Sequence, residues 1–212
     1  MNNEKQNILI AGANGTTGRI IINLLKDSET YRPIAMVRKQ AQKEVFEKSQ
    51  VASVVADLEK DLSHAVKDVD KVIFAAGSKG KMVFEVDQEG AKQLMNAAKD
   101  AGVRKFVMLS SMGADNPSVS KELEGYLKAK QNADEYLNAT DLRYTIVRPG
   151  SLTDLEGTGK IQLKEKLENF GKISRADVAQ TLVKVLEDGV RQNQVFEIIT
   201  GDTLIQNAVT PH

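Results

Sequence analysis

The stretch Asn7–Gly18 decides the fold and reads NILIAGANGTTG. Its first half is an apolar run that predicts a buried strand. Glycines follow at positions 12, 15 and 18, and the amphipathic stretch Thr16–Lys26 begins within this loop. A glycine-rich turn between a strand and a helix directs the free N–H groups of the helix start toward an anion. The stretch therefore predicts a strand–loop–helix unit with a phosphate-binding loop.

Further apolar runs follow along the chain, at Ile34–Arg38, Val51–Ala56, Lys71–Ala76, Lys105–Ser110, Tyr144–Pro149 and Val195–Thr200. Helical patterns lie between them. Thr16–Lys26 places Ile20, Ile21, Leu24 and Leu25 on one face, and Glu85–Ala101 ends at Gly102. A third helix is predicted to start at Ser174-Arg-Ala-Asp177. This alternation predicts an α/β fold of the Rossmann type, with a doubly wound, mainly parallel sheet of about seven strands flanked by helices.

The length of 212 residues favours one nucleotide-binding domain over the whole chain, 1–212. Only Ser151–Lys172 departs from the alternation, with a single strand-like segment at Ile161-Gln-Leu163. We expect residues 151–173 to form a small insertion that shapes a substrate pocket, because such folds bind ligands at the carboxyl ends of their strands.

Composition excludes several classes of function. The chain has 29 Lys plus Arg, 29 Asp plus Glu, no Cys and two His. It lacks the thiolates of iron–sulfur and zinc-finger sites, and it has no cluster of His for a metal site. The balanced charge argues against nucleic acid as a partner. No apolar stretch is long enough to span a membrane, so the sequence predicts a soluble, cytoplasmic protein with no membrane partner.

The glycine loop predicts a dinucleotide site. Gly12 permits the tight turn, Gly15 lets the backbone approach a pyrophosphate, and Gly18 lets helix and strand pack closely. Side chains that can donate to the anion are Asn14, Thr16 and Thr17. The alternative is a glycine-rich turn that binds no ligand.

The second strand indicates which dinucleotide is bound. NAD sites usually have an acidic residue at this strand end, whereas this chain has Arg38-Lys39. Arg can bind a 2′-phosphate through two hydrogen bonds, so NADP is favoured and NAD remains possible. Asp57 could accept from the adenine amino group, and the small residues Ala75, Ala76 and Gly77 would leave room for adenine and ribose. Each of these residues could instead cap a helix or satisfy a packing requirement.

Catalytic chemistry is suggested by Tyr126 and Lys130, which lie one helical turn apart. An ammonium group beside a phenol favours the phenolate, so the pair could exchange a proton with a carbonyl or alcohol oxygen. Lys130 could also bind the nicotinamide ribose, and Ser111 could donate to the same substrate oxygen. The alternative is a surface helix on which Tyr126 packs and the lysines are solvated.

With these residues in this order, the sequence resembles the short-chain dehydrogenase/reductase superfamily. It is most similar to the small atypical NAD(P)-binding members related to NmrA-like proteins and flavin/biliverdin reductases. The resemblance spans nearly the whole chain, including Arg148-Pro149-Gly150. It implies that Gly12, Gly15 and Gly18 contact pyrophosphate, that Arg38 binds the 2′-phosphate and that Asp57 and Leu58 contact adenine. It also places Ala75 and Gly77 at the ribose and Ser111, Tyr126 and Lys130 at the active site.

The chain differs from this family at several points. Where the family often has Asn, the helix before the fifth strand has Val86-Asp87-Gln88-Glu89-Gly90. Ser110 competes with Ser111 for one role, and Ser111 is preferred. The leading hypothesis is an NADP-preferring oxidoreductase acting on a small, unidentified carbonyl or alcohol substrate. The alternatives are an NAD(P)H-binding sensor without turnover and, less favoured, a nucleotide-sugar epimerase, since only 62 residues follow Gly150.

Overall fold

The computed structural model describes residues 4–77 and 82–210. The strands are β1 Gln6–Ala11, β2 Tyr31–Val37, β3 Ala52–Val55, β4 Lys71–Phe74, β5 Lys105–Leu109, β6 Tyr144–Pro149, β7 Ser151–Thr153, β8 Lys160–Lys164, β9 Lys172–Ser174, β10 Gln194–Thr200 and β11 Thr203–Leu204. The α-helices are α1 Thr16–Lys26, α2 Gln40–Lys48, α3 Ala91–Asp100, α4 Glu124–Asn138, α5 Arg175–Lys184 and α6 Ile205–Val209. A π-helical segment, Val83–Gly90, precedes α3, and a short 3₁₀ turn covers Pro117–Val119.

The main sheet has nine strands in the order β11-β8-β10-β6-β5-β4-β1-β2-β3. Every neighbouring pair from β3 to β10 is parallel, whereas β8 pairs antiparallel with both β10 and β11. All seven predicted strands are present, which confirms the doubly wound α/β prediction. The sheet gains β8 and β11 beyond those seven, and β7 pairs with β9 in a separate two-stranded sheet.

Both faces of the sheet are covered by helices. In β1, Ile8 and Ile10 belong to the apolar cluster beneath α1, α5 and α6, while Leu9 and Ala11 belong to the cluster beneath α3 and α4. This alternation follows from the two-residue period of a strand, and all four side chains are fully buried. Strands buried on both faces explain why the sequence showed continuous apolar runs.

The strand order reverses at β1. From β1 the chain runs outward through β2 and β3, then crosses to β4 on the other side and continues through β5 and β6. The loops after β1 and β4 therefore diverge and leave a crevice at the carboxyl ends of these strands. Within the described residues, no helix combines the length and the apolar character needed to cross a membrane.

Three local expectations need correction. Glu85–Ala101 was expected to be one α-helix, but its first part lies in the wider π-helical segment. In α1 the buried face is Ile21, Ile22 and Leu25, because Leu24 points outward and is 41% exposed. In the 151–173 insertion, the segment around Ile161 does not lie over the sheet but extends it as β8.

Candidate functional site

The glycine loop adopts a backbone that side chains would disrupt. Gly12 has φ +84°, and a Cβ atom there would lie 2.6 Å from the Ala75 carbonyl oxygen. A Cβ atom on Gly18 would lie 2.2 Å from the Gly12 carbonyl oxygen. Gly15 is the N-cap residue of α1 and has no side chain with which to cap the first-turn N–H groups. The backbone of this loop can therefore come close to an anion at the N-terminus of α1. Such a close approach suits a pyrophosphate, and we refer to the loop as a glycine cradle.

A cavity of about 420 Å³ opens in front of this loop. Its lining comes from the carboxyl ends of β1 to β4, from α2 and from the first part of the π-helical segment: Gly12, Asn14, Gly15, Met36, Val37, Arg38, Gln42, Ala56, Asp57, Leu58, Ala75, Ala76, Gly77, Met82 and Val86. The cavity therefore brings together most of the residues expected around the dinucleotide. Thr16, Thr17 and Gly18 do not line it; Thr17 is buried and Gly18 packs against Gly12.

Arg38 is exposed at the end of β2, on the rim of this cavity. The side-chain oxygen of Gln42 accepts from the backbone N–H groups of Arg38 and Lys39, at 3.2 Å each. Gln42 thereby fixes the turn from β2 into α2 while the Arg38 guanidinium stays at the surface. Asp57 accepts from the Glu59 N–H at 3.2 Å, which orders the loop after β3.

Lys130 is buried beside Tyr126 on α4. Its ammonium group lies 5.6 Å from the centroid of the Tyr126 ring and 3.2 Å from the Asp87 carboxylate. It also donates to the Leu109 carbonyl oxygen at the end of β5, at 3.5 Å. Burial lowers the pKa of Lys130, but Tyr126, Asp87 and Asp134 outweigh burial and raise the pKa overall. Lys130 is therefore held charged at the β5 end.

Asp87 connects this pair to the cavity. Its carboxylate lies 3.3 Å from the position that a Cβ atom on Gly77 would occupy, and Gly77 lines the cavity. The Asp87 side chain is only 1% exposed. Lys130 itself does not line the cavity, but Asp87 places it behind the cavity wall.

Ser110 belongs to a second buried group. Its hydroxyl donates to the Asp134 carboxylate at 2.8 Å, and the Arg148 Nε donates to the same oxygen at 2.9 Å. Burial raises the pKa of Asp134, although Arg148 and Ser110 lower it in part. Asp134 follows Lys130 by one turn of α4, so α4 presents Tyr126, Lys130 and Asp134 along one face.

Ser111 has different surroundings. It is half-buried, and its hydroxyl donates to the Met112 carbonyl oxygen at 3.2 Å. The Ser110 hydroxyl donates to a buried carboxylate, whereas the Ser111 hydroxyl makes only this local hydrogen bond among the described residues. The arrangement can present a serine hydroxyl, a phenol and a buried ammonium group near the ends of β5 and α4.

The sequence of this chain matches the NAD(P)H-binding family model over residues 12–189. The chain belongs to this family. This match, together with relatives such as sanguinarine reductase, confirms the resemblance to atypical NAD(P)-binding short-chain dehydrogenase/reductase proteins.

Relatives of the family cover almost the entire chain. The Bacillus subtilis protein named uncharacterized sugar epimerase YhfK is 37% identical over 210 residues, covering 95% of this chain and 98% of the relative. Sanguinarine reductase of Eschscholzia californica is 26% identical, covering 92% and 89%. The crystal structure of the oxidoreductase ylbE of Lactococcus lactis has a TM-score of 0.86 and 29% identity, covering 96% and 95%. The chain thus has an NAD(P)-binding oxidoreductase fold.

Some residues of this NAD(P)H-binding protein were not expected at the site. Six residues line the cavity without having been predicted as site residues: Met36, Val37, Gln42, Ala56, Met82 and Val86. Asp87 was noted only as a departure from the family pattern. Nothing in the sequence distinguishes Asp87 from the acidic neighbours Glu85 and Glu89, because its cationic partner Lys130 lies on α4.

Proposed function

We propose that this NAD(P)H-binding protein is an NADP-preferring oxidoreductase that reduces a carbonyl compound with Ser111, Tyr126 and Lys130. The observation that carries the proposal is the buried Lys130 ammonium group, held by Asp87 against Tyr126 and next to the Gly77 wall of the cavity. A buried charged pair beside a ligand cavity is typical of an active site.

The cavity residues are proposed to bind the dinucleotide. The glycine cradle at the cavity suits a pyrophosphate, since side chains at positions 12 and 18 would clash with backbone atoms. We assign the pyrophosphate to the loop from Gly12 to Gly18, with the exposed Asn14 and Thr16 side chains as donors, while the buried Thr17 would offer its backbone N–H. We assign the adenosine to Asp57, Leu58, Ala75, Ala76 and Gly77. The exposed Arg38 guanidinium, with no acidic residue at this strand end, supports a 2′-phosphate.

We propose the following chemical roles for these side chains. A reduced nicotinamide would supply hydride to the carbonyl carbon. The Tyr126 hydroxyl would donate its proton to the carbonyl oxygen, and Ser111 would donate a hydrogen bond to the same oxygen. Lys130 would favour the phenolate left on Tyr126 and would bind the ribose hydroxyls. Asp87 would fix the Lys130 side chain.

We propose that the chain is a single domain, 1–212, and that residues 151–173 form one wall of the substrate pocket. Two contacts tie this region to the loop after β5 and to α5. The Lys166 ammonium group pairs with Asp115 in the loop after β5. The Asp177 carboxylate accepts from the Gly159 N–H at 2.7 Å. The insertion is therefore held by one contact to the loop after β5 and by another to the first turn of α5.

Cofactor binding is tested by titrating the purified protein with NADPH and NADH and following nucleotide fluorescence. We expect NADPH to bind more tightly than NADH. Arg38→Ala should weaken NADPH about 10- to 100-fold and leave NADH nearly unchanged, because one charge-assisted contact is lost. Lys39→Ala is the matched control, since its effect should be smaller. Equal affinities for the two nucleotides in the wild type would contradict the NADP preference.

Catalysis is tested with a panel of aldehydes and ketones and with Tyr126→Phe. We expect this variant to keep its NADPH affinity and to lose turnover by about 100-fold or more, because it lacks the proton donor. Equal turnover in both proteins would remove Tyr126 from the mechanism. NADPH binding without turnover of any substrate would instead identify a sensor, and epimerisation of a nucleotide sugar would identify an epimerase, as the name of YhfK suggests.

A further inference from the structure

The side chain of Arg19 reaches back from α1 to the glycine loop. Arg19 directly follows Gly18 and is exposed. Its Nε donates to the Asn14 carbonyl oxygen at 3.3 Å, and its Nη2 donates to the Asn14 side-chain oxygen at 2.5 Å. One guanidinium group therefore holds both the backbone and the side chain of Asn14, through the fixed fork geometry of arginine.

These two hydrogen bonds orient the amide of Asn14, which lines the cavity in front of the glycine loop. Because its side-chain oxygen already accepts from Arg19, Asn14 offers a ligand the two N–H groups of its Nδ2. No acceptor for these N–H groups is found in the part of the chain that the structure describes. A phosphate accepts from N–H donors, whereas an amide oxygen turned toward it would be repelled. Arg19 thus selects the orientation of Asn14 that suits an anion.

Phe46 holds the same guanidinium group from α2. The Cζ atom of Arg19 lies 5.6 Å from the centroid of the Phe46 ring, which is a cation–π contact. Phe46 is buried and belongs to the apolar cluster beneath α1, so its ring is itself fixed. Arg19 is therefore held between the glycine loop and α2, and Asn14 is oriented before a ligand binds. Such preorganisation lowers the cost of binding.

The charge of Arg19 lies at the end of α1 where a cation is least favourable. Helix N-termini favour acidic side chains, because the helix dipole is positive at this end. However, α1 has no acidic residue in its first turn, and Arg19 is its fourth residue, with the guanidinium group folded back over the loop. Among residues 4–77 and 82–210, Arg19 forms no ion pair. The dipole and the uncompensated guanidinium group therefore both favour an anion at the glycine loop.

We propose that Arg19 is a positioning residue for the dinucleotide pyrophosphate, which it serves by fixing Asn14 and by contributing its charge to the glycine loop. Arg38 acts at a different phosphate, since its proposed ligand is the 2′-phosphate that NADH lacks. Loss of Arg19 should therefore weaken NADPH and NADH alike, whereas loss of Arg38 should weaken only NADPH. This inference rests on the proposed function, because it concerns the same dinucleotide site.

Fluorescence titration with NADPH and NADH tests this role without turnover. Arg19→Met removes the charge and both hydrogen bonds to Asn14, while its flexible, unbranched side chain can still pack on Phe46. We expect this variant to bind each dinucleotide about tenfold more weakly than the wild type, because the Asn14 amide is no longer fixed and a cation is lost. Arg19→Lys keeps the charge but not the two-point contact, so it should recover only part of the affinity. Raising the ionic strength should narrow the difference between Arg19→Met and the wild type.

A double-mutant cycle with Asn14→Ala tests whether Arg19 acts through Asn14. Each single variant should lose affinity, but Arg19→Met should cost less in the Asn14→Ala background, since the residue that Arg19 positions is then absent. Arg32→Met is the matched control, because Arg32 is also exposed but lies near the amino end of β2, at the opposite edge of the sheet. It should bind both dinucleotides like the wild type. Without dinucleotide, Arg19→Met should unfold thermally like the wild type, because Arg19 is exposed at an unfavourable helix end.

Three results would overturn the proposal while leaving the proposed function intact. These are unchanged dinucleotide affinity in Arg19→Met, a loss for NADPH without a loss for NADH, and fully additive effects of Arg19→Met and Asn14→Ala. The second result would move Arg19 to the 2′-phosphate beside Arg38. If the wild type binds neither NADPH nor NADH, the proposed function fails as well, and this inference fails with it.

Discussion

Ser110 and Ser111 are adjacent in the chain, but their hydroxyl groups have different partners. Ser110 donates to the buried Asp134, which also accepts from Arg148. Removing one donor from a buried carboxylate leaves part of its desolvation uncompensated. Ser111 makes one local hydrogen bond to Met112, so its hydroxyl can turn to a ligand at little cost. The Ser110 hydroxyl thus has a buried partner, and the Ser111 hydroxyl is the better candidate for a hydrogen bond to substrate.

This difference predicts opposite effects for two alanine variants. Ser110→Ala should lower the free energy of unfolding by about 1–3 kcal/mol, since the buried Asp134 loses a donor. Ser111→Ala should change stability by less than about 0.5 kcal/mol and lower kcat by about tenfold or more. Urea denaturation and steady-state kinetics measure the two effects. A stable Ser110→Ala variant with reduced kcat, beside a fully active Ser111→Ala variant, would reverse the assignment.

Asp87 shows why some site residues could not be predicted. Its sequence neighbours gave no partner, because Lys130 lies 43 positions away and the two meet only when α4 packs beside the π-helical segment. Neither side chain would remain buried alone, since an unpaired charge in the interior is strongly destabilising. Lys130 was predicted from its spacing to Tyr126, but its counter-charge depends on the tertiary structure.

At the scale of elements, the packing of α1 against β1 depends on Gly18, and a second glycine in α4 provides a control for its substitution. A methyl group on Gly18 would lie 2.2 Å from the Gly12 carbonyl oxygen, so α1 would have to move away from β1. Gly18→Ala should destabilise the protein by about 1–3 kcal/mol and abolish NADPH binding. Gly125 lies in α4 with no atom within 4 Å of the corresponding position. Gly125→Ala should therefore be neutral or stabilising by up to about 1 kcal/mol.

Thermal unfolding and NADPH titration of the two glycine variants measure these effects. Retention of NADPH binding by Gly18→Ala would show that the loop is not a close-approach cradle. Destabilisation by Gly125→Ala would show that the added methyl group meets neighbouring atoms in solution.

The sequence predicted those elements whose own residues carry a recognisable pattern of apolar or capping side chains. Strands such as β1 and β6 are continuous apolar runs, and Ser174 begins α5 as expected because its hydroxyl accepts from the Asp177 N–H at 3.0 Å. The strand-like segment Ile161-Gln-Leu163 was recognised in the sequence, but its place in the main sheet as β8 was not, because only Ile161 and Leu163 of this strand are not fully exposed. It exists because β10 offers an open edge, and an antiparallel partner from a distant segment is not visible in local pattern. The π-helical turn likewise leaves no periodic signal.

At the scale of the whole molecule, two buried lysines lie at the edge of the sheet opposite to the cavity. Lys71 and Lys105 are paired in register at the amino ends of β4 and β5, and they are 1% and 2% exposed. Lys71 donates to the Leu186 carbonyl oxygen and to Asp188, at 2.7 Å each. Lys105 donates to the carbonyl oxygens of Glu187 and Val190.

These contacts dock the connection between α5 and β10 onto the central strands. Charged lysines can replace apolar residues here because helix-end carbonyl groups accept from them. The two ammonium groups repel each other, however. Burial, together with the charge of Lys71, lowers the pKa of Lys105 to about 8, and Asp188 and Glu187 offset this only in part.

The lowered pKa makes stability depend on pH in the alkaline range. Between about pH 8 and the ordinary lysine value of 10.5, the unfolded chain binds more protons at Lys105 than the folded chain does. The free energy of unfolding should therefore rise with pH in this window, by roughly 2 kcal/mol between about pH 7.5 and 9.5. Burial raises the pKa of Tyr31 to about 12, which opposes this trend above about pH 10 and sets the upper limit of the measurement.

Urea denaturation of the wild type, Lys105→Met and Lys128→Met at several pH values checks this dependence. Lys105→Met should be less stable than the wild type near neutral pH, because the carbonyl groups of Glu187 and Val190 lose their donor. Its stability should nevertheless be flat where that of the wild type rises, since it has no group to titrate at this position. Lys128→Met removes an exposed lysine of α4 and should keep the wild-type rise. An equal rise in Lys105→Met would assign the titration to another group and would show that the docked connection accommodates a fully charged Lys105.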